Sequence, residues 1–509
     1  NKKQDLVHLV ILLAVALAIG IYLITTTTLI SRDGTAYIIR AQRFSSNPVG
    51  TFKSPVFGYP FLIFTIHKLV TSFGGGSSVQ MWIYSAQSIA LLCRLLALIP
   101  LYFIGKLFVG SKKGFWAIFI LIILPYPSEF VSDVLREWPH MFFLASGFLL
   151  LIHGAGQGKC RMFGAAGLAA GLGYLIRPEC AQLVIYGTIW ILIRLLLPRH
   201  QMGRPKLLCA LPVLLIGFAI PAVPYSIIRG KILPVKIKFL ISSTLPRQLQ
   251  EVQEPKINSG NNTYTASGVP SNIIKATGKL VSRISETLMY YYLPALLIGI
   301  YFHFRRKRPG SDIERFFVPA LVALYIIMLI VLHCHWGYIS RRHSFPLVAF
   351  TIFYVPIGLE VSADWLANRF SKSPPASARD CRMWFFILLI TGTAICLPKL
   401  LTRPGSDKPG IRAAAAWLSE NTAQEDLIAV TDRRISFYAR RRGTIYDANP
   451  RREGMARHTK PHNKAKYIVT IENDEDEVPD FVRNAQKQYS VWENERKKNK
   501  KIVIYKKTS

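Results

Sequence analysis

A mainly α, polytopic membrane bundle followed by a small C-terminal α/β unit is the fold class this sequence predicts. Two observations carry that prediction. Of 509 residues, 51% are hydrophobic and the mean hydropathy is +0.27, too apolar for a water-soluble protein of this length. The apolar residues also gather into blocks that approach the ~20 residues needed to cross a hydrocarbon core about 30 Å thick. Beyond residue 400 the long blocks stop and short helix and strand patterns alternate.

The first block, Leu6–Ile30, carries no charge and is preceded by Lys2, Lys3 and Asp5. Arg32-Asp33 follows it rather than a small-residue cleavage site, so it reads as an anchor and not as a signal peptide. Further blocks run Met81–Phe108, Gly114–Leu124, Pro139–Ile152, Gly164–Ile176, Ala181–Leu197, Leu207–Ile228, Leu288–Phe304, Phe316–Leu332, Phe345–Leu359 and Trp384–Leu400. Together they predict about eleven spans, several of them short for a bilayer. Gly164–Ile176, rich in Gly and Ala, suits close helix packing inside the bundle.

Loop charges set the expected orientation. With Lys2 and Lys3 inside, Lys112/Lys113, Lys159/Arg161, Arg199/Arg204/Lys206, Arg305–Arg308 and Arg379/Arg382 also fall inside. The N-terminus is then cytoplasmic, the alternate loops face outward from the cytoplasmic (inner) membrane, and an odd span count puts the C-terminal unit outside. Residues 1–400 form the membrane domain, with outward segments at 31–80 and 230–286; residues 401–509 form an extracytoplasmic soluble domain. In the first outward segment, Phe57–Val70 is too short to span and suits an interfacial helix. The second is polar around Asn258–Thr263 and reads as a loop, with an incidental sequon at Asn261-Asn262-Thr263. In the soluble domain, Ile411–Ser419 and Asp480–Gln488 read as helices, and Asp426–Thr431, Thr444–Asp447, Tyr467–Ile471 and Ile502–Tyr505 as strands.

The net charge of +34 does not imply nucleic acid, because the bases lie in short loops and in a tail without any nucleic-acid motif. The seven cysteines are scattered, most in or beside apolar runs, so buried free thiols are expected and no disulfide framework.

The outward span ends carry Asp33, Lys53, Asp133, Glu137, Arg177, Glu179, Arg229, Arg341, Arg342 and His343. Facing ends of a bundle could gather these around one cavity. Carboxylates beside fixed cations suit a reaction on a phosphorylated, membrane-held substrate: a carboxylate accepts a proton while Arg forks neutralise phosphate oxygens. Each residue also has a structural reading. Asp33 could cap the next helix, and Glu137 could be a first-turn acid. Arg177 and Glu179 could brace the turn at Pro178, and Arg341 and Arg342 could snorkel. His333, Cys334, His335 and His343 crowd one short segment, where adjacent ligands rarely close a tetrahedral metal site; no metal site is assigned.

Five local segments add order. They are Ser31–Tyr37, Asp133–Pro139, Gly171–Glu179 ending Arg177-Pro178-Glu179, Pro221–Arg229, and Tyr338–Leu347 with Arg341-Arg342-His343. In this order they resemble the polyprenyl-phosphate-sugar-dependent glycosyltransferases of the GT-C fold, most closely the bacterial relatives of the protein O-mannosyltransferases and the lipid A aminoarabinose transferases. The resemblance covers about residues 6–400. It implies that an acceptor hydroxyl attacks the anomeric carbon of a sugar held on a polyprenyl phosphate, with inversion. It implies Asp33 as the base, Glu137 or Asp133 as the second acid, and Arg341 or Arg342, with His343, Lys53 and Arg177, at the lipid phosphate. Glu179, Tyr37 and Arg229 would position substrate or support the site. A divalent metal (Mg or Mn) shared by Asp33 and Glu137 stays open. Many protein mannosyltransferases have Asp-Glu where this chain has Asp33-Gly34, which leaves the acceptor open as a lipid, glycan or protein. Two other readings are a transporter or flippase for lipid-linked saccharides, and an O-antigen polymerase or ligase. A transporter calls for ionisable groups at the midplane and repeat symmetry; here the acids cluster at span ends, and Arg94 is the main charge deep in a span.

Overall fold

The computed structural model describes residues 2–196, 203–230, 269–305, 312–371, 376–446, 463–473 and 480–507. Helix α1 (Lys2–Thr26) leads into Ser31, whose Oγ accepts from Gly34 N at 2.9 Å and so caps α2 (Arg32–Gln42). Short α3 (Pro48–Phe52) and α4 (Gly58–Ser72) follow, then the long α5 (Val79–Val109). Next come α6 (Ser111–Ile123), α7 (Pro125–Ser132), α8 (Glu137–Gln157), α9 (Cys160–Ile176), α10 (Gln182–Leu196) and α11 (Arg204–Arg229). The bundle closes with α12 (Val269–Thr287), α13 (Tyr292–Arg305), α14 (Asp312–Trp336), α15 (Arg341–Thr351), α16 (Val355–Phe370) and α17 (Ala378–Leu400).

Within the described residues each of the eleven apolar blocks falls mainly in helix, but they are not eleven equal spans. Among the described residues, eight helices are long and apolar enough to cross a membrane, and ten if each of two bent pairs is one span. The protein is a multi-pass membrane protein. The Gly114–Leu124 block lies in α6, and α7 extends it after a bend of 59°. The physical reason is Pro125, which has no N–H to continue the ladder. Arg94, fully buried on α5, braces that break: its Nη2 donates to Ile122 O and Ser128 Oγ, both at 3.0 Å, and its guanidinium lies 5.4 Å from the Trp138 ring centroid. The second bent pair, α12 with α13, turns by 106°. Of the loop expected at 230–286, residues 269–286 are therefore helical; Asn258–Thr263 and the sequon lie outside the described residues.

Helix α9, an apolar helix of 17 residues, is short for a span. Its small residues do pack closely: a Cβ on Gly167 would sit 2.1 Å from Leu214 O of α11. The stretch expected to be interfacial is α4, with Tyr59 and Ile63 buried in the main core.

The C-terminal unit holds α18 (Pro409–Asn421), β1 (Leu427–Val430), α19 (Arg433–Ala439), β2 (Arg442–Ile445), β3 (Tyr467–Asn473), β4 (Ala485–Trp492) and β5 (Lys500–Lys507). The five strands order β2-β1-β3-β5-β4, with β1 parallel to β2 and β3, and β5 antiparallel to β3 and β4. Three expected strands and the first helix thus form as read, and the strand expected at Thr444–Asp447 lies at Arg442–Ile445. The helix expected over Asp480–Gln488 does not form. Asp480–Val482 makes one 3-10 turn, and Ala485 onward pairs with β5 while Tyr489 stacks on Trp417 at 5.6 Å. Cross-strand pairing overrides a weak local helix pattern there.

Candidate functional site

Four elements meet where α1 ends: the start of α2, the α7–α8 link, the start of the 3-10 turn before α10, and the start of α15. Asp33 stands in the first turn of α2, so its carboxylate projects at the mouth of the bundle and is 56% exposed. Ser31 is the cap, so Asp33 is free of that duty. Ser31 Oγ also donates to Asp133 O at 2.9 Å, tying α2 to the α7–α8 link. Gly34 fits beneath that link because a Cβ there would lie 2.5 Å from Asp133 O. The position next to Asp33 has no room for a second carboxylate.

Arg342, in the first turn of α15, joins the two acids expected to act. Its Nε donates to Glu137 Oε1 at 2.7 Å and its Nη1 to Asp33 Oδ2 at 2.5 Å. Glu137 opens α8 and is wholly buried. Arg177 Nη1 approaches the same Oε1 at 3.5 Å, and Arg177 Nε lies 3.7 Å from Glu179. Glu137 Oε2 is buried with no hydrogen-bond partner among the described residues. Arg342 fills the space between Asp33 and Glu137, so this pair does not fit a shared divalent ion. Among the described residues, no group of three His, Cys, Asp or Glu side chains could hold a metal.

Asp133 lies behind Asp33. Burial, reinforced by the Glu129 carboxylate, pushes its carboxyl up to about 7, against the pull of Arg342 and Arg434. The folded protein therefore keeps a proton that the unfolded chain, near its ordinary 3.8, has lost. Stability from this group falls as pH rises through that window. Asp133→Asn is expected to raise the thermal midpoint above wild type at pH 8 and to match it near pH 4. Equal differences at both pH values in a detergent melt would contradict the assignment.

The other candidates divide. Arg341 turns away, its guanidinium 3.9 Å from the Tyr126 ring centroid and 4.0 Å from Glu286. His343 takes part in the cap of α15, its Nδ1 3.2 Å from Ser340 Oγ. Tyr37 is buried edge-on to Tyr59 at 5.3 Å, with the Arg136 guanidinium 6.0 Å away. Lys53 ends α3 and Arg229 ends α11, beside an apolar groove of about 160 Å³ lined by Phe52, Phe57, Pro221, Tyr225 and Ile228. Neither joins the ionic cluster. Arg136, His140 and the C-terminal residues Asp432 and Arg434 are close to the cluster, and the sequence reading did not include them. Arg136 and His140 flank Glu137 and were legible as neighbours; Asp432 carries no local signal.

Comparison with known proteins agrees with this architecture. Residues 53–224 match the family described as dolichyl-phosphate-mannose-protein mannosyltransferase. Among curated proteins, none matches by sequence. The archaeal oligosaccharyltransferase AglB from Archaeoglobus fulgidus, solved with an inhibitory peptide and a dolichol-phosphate, superposes with a TM-score of 0.59 at 13% identity, covering 92% of this chain and 69% of its own. The arabinofuranosyltransferase AftD from Mycobacteria gives 0.50 at 13%, covering 98% and 41%. ArnT from Cupriavidus metallidurans, bound to undecaprenyl phosphate, gives 0.46 at 14%, covering 97% of each chain. The chain is a multi-pass membrane protein that shares the fold of AglB and AftD, and its residues 53–224 match the mannosyltransferase family model.

Proposed function

We propose that this protein is a membrane glycosyltransferase that moves a sugar from a polyprenyl phosphate to an acceptor hydroxyl on the extracytoplasmic face, with inversion. The observation that carries the reading is Arg342 bridging exposed Asp33 and buried Glu137 at the bundle mouth. Glu137 is the fixed anion that aims the guanidinium. Nε and Nη1 are engaged, and Nη2 remains for a phosphate oxygen of the donor, a charge-assisted contact that strengthens as the phosphate becomes the leaving group. Asp33, the more exposed carboxylate, accepts the acceptor's hydroxyl proton. The acceptor oxygen bonds to the anomeric carbon, and the C–O bond to phosphate breaks with its electrons leaving on the phosphate. The apolar groove beside Lys53 and Arg229 suits the polyprenyl chain. With a cytoplasmic N-terminus, this mouth and the C-terminal unit that packs on Leu29 beyond the end of α1 both lie outside the inner membrane.

Donor class can be tested without knowing the sugar. Native mass spectrometry of the purified protein with undecaprenyl phosphate is expected to show one retained lipid in wild type. Arg342→Ala should reduce its occupancy at least tenfold. Equal retention by both would contradict a phosphate site at Arg342.

A further inference from the structure

Helix α12 differs in kind from the span it leads into. It carries Lys275, Lys279, Arg283 and Glu286, a load that hydrocarbon rejects, whereas α13 has no Asp, Glu, Lys or Arg before Arg305. The two axes meet at 106°, so with α13 crossing the bilayer α12 runs close to the membrane plane. Met289 and Tyr290 make the turn in left-handed backbone, at φ +53° and +59°, and Tyr290 N donates to Ser285 O at 2.7 Å. Residues sort onto three sides of α12 at helical spacing. Ala276, Leu280 and Thr287 are buried where the helix packs on α14 and α15. Ile274 and Val281, seven residues apart, form a second line and are 72% and 51% exposed. Lys275, Lys279 and Arg283, at four-residue spacing, form a third. Arg283 is committed: its Nη1 donates to Glu286 Oε2 at 2.6 Å and its Nε to Ile339 O at 3.2 Å. Lys275 and Lys279 are exposed. Tyr290, exposed at the bend, suits headgroup depth, where amphipathic rings collect.

We propose that α12 is a membrane-surface helix on the mouth side of the bilayer, and that Lys275 and Lys279 bind the headgroups of anionic phospholipids there. The line of Ile274 and Val281 sinks into the acyl boundary. An amphipathic helix seated ~5–10 Å into that boundary holds the lysines of its polar side at the level of the lipid phosphates. Bulk phospholipid is the occupant, not the sugar donor. Lys279 and Lys275 stand about 6 and 12 Å along the axis from Arg283, on the side away from the residues that lead to the mouth. Those residues are Arg283, which holds Ile339 O, and Glu286, which lies 4.0 Å from Arg341. Ile339 and Arg341 bracket the start of α15, whose first turn carries Arg342. A lipid-anchored α12 therefore braces the segment that presents Arg342. The binding surface itself does not depend on the reaction proposed above.

The test uses the full chain in nanodiscs of phosphatidylcholine, with or without phosphatidylglycerol, and follows hydrogen exchange of the 273–287 peptide by mass spectrometry. A lysine near an anionic surface contributes about a fivefold preference. Phosphatidylglycerol should therefore slow exchange of this peptide at least about fivefold in wild type, and the effect should shrink at high salt. Lys275→Gln with Lys279→Gln should exchange like wild type in phosphatidylcholine and lose the response to phosphatidylglycerol. Equal exchange of wild type in the two lipids overturns the proposal, and so does a response that survives the double substitution. Undecaprenyl phosphate added to phosphatidylcholine distinguishes the other source of lipid phosphate. Protection by it and not by phosphatidylglycerol would overturn the assignment to bulk phospholipid. Placement is read separately by Ile274→p-benzoylphenylalanine, which on illumination should give lipid adducts in either nanodisc. Absence of lipid adducts there would overturn the surface seating of α12.

Discussion

Glu137→Ala is expected to cost both activity and folding. Glu137 is wholly buried and accepts from Arg342 while facing Arg177. Removing it leaves Arg342 with Asp33 alone and the buried Arg177 with Glu179 alone. Breaking a buried ion pair from one side costs about 3–5 kcal/mol, and the loss falls on the residue that aims Arg342. A lowered thermal midpoint in detergent and loss of transfer should appear together. Glu137→Gln keeps the shape and one acceptor oxygen, so it should recover most of the stability while leaving Arg342 loosely held. Equal stability of Glu137→Ala and wild type would mean that Asp33 and Glu179 hold the two guanidinium groups without Glu137.

Arg342→Ala should reduce transfer by at least ~10²–10³-fold, the usual cost of losing a preorganised charge-stabilising donor. Arg342→Lys should recover little. A lysine is a compact point charge that cannot hold Glu137, Asp33 and a phosphate at once, as a planar fork can. Arg341→Ala is the informative control. Arg341 is stacked on Tyr126 and leans toward Glu286, so its loss should change kcat/KM less than tenfold. Similar losses at both positions would contradict the division of labour between the two arginines.

Much of this was legible in the sequence. Long apolar blocks announce helices because a bilayer leaves the backbone no other partner. The acids at span ends were readable because ionised groups are costly elsewhere in a membrane. Asp33, Glu137 and Arg342 meet as the order of segments suggested. The remainder depends on contacts that no local pattern encodes. Arg341 and Arg342 are neighbours in sequence, and only the presence of Tyr126 beside one and Glu137 beside the other separates them. The bend at Leu124-Pro125 turned an apparent span into a bent pair held by Arg94. Strand β4 owes its form to β5 rather than to its own residues. The Arg32–Asp432 pair joins positions 400 residues apart, beyond any reading of spacing.

The proposed role of Asp33 is that of base in a sugar transfer from a polyprenyl phosphate. Its most direct test is transfer of sugar from the polyprenyl-phosphate pool in membranes that contain Asp33→Asn at wild-type abundance. The asparagine keeps the shape and an acceptor for Arg342 but cannot take a proton, so transfer should fall to background while undecaprenyl phosphate is still retained. Full transfer by Asp33→Asn would contradict the claim.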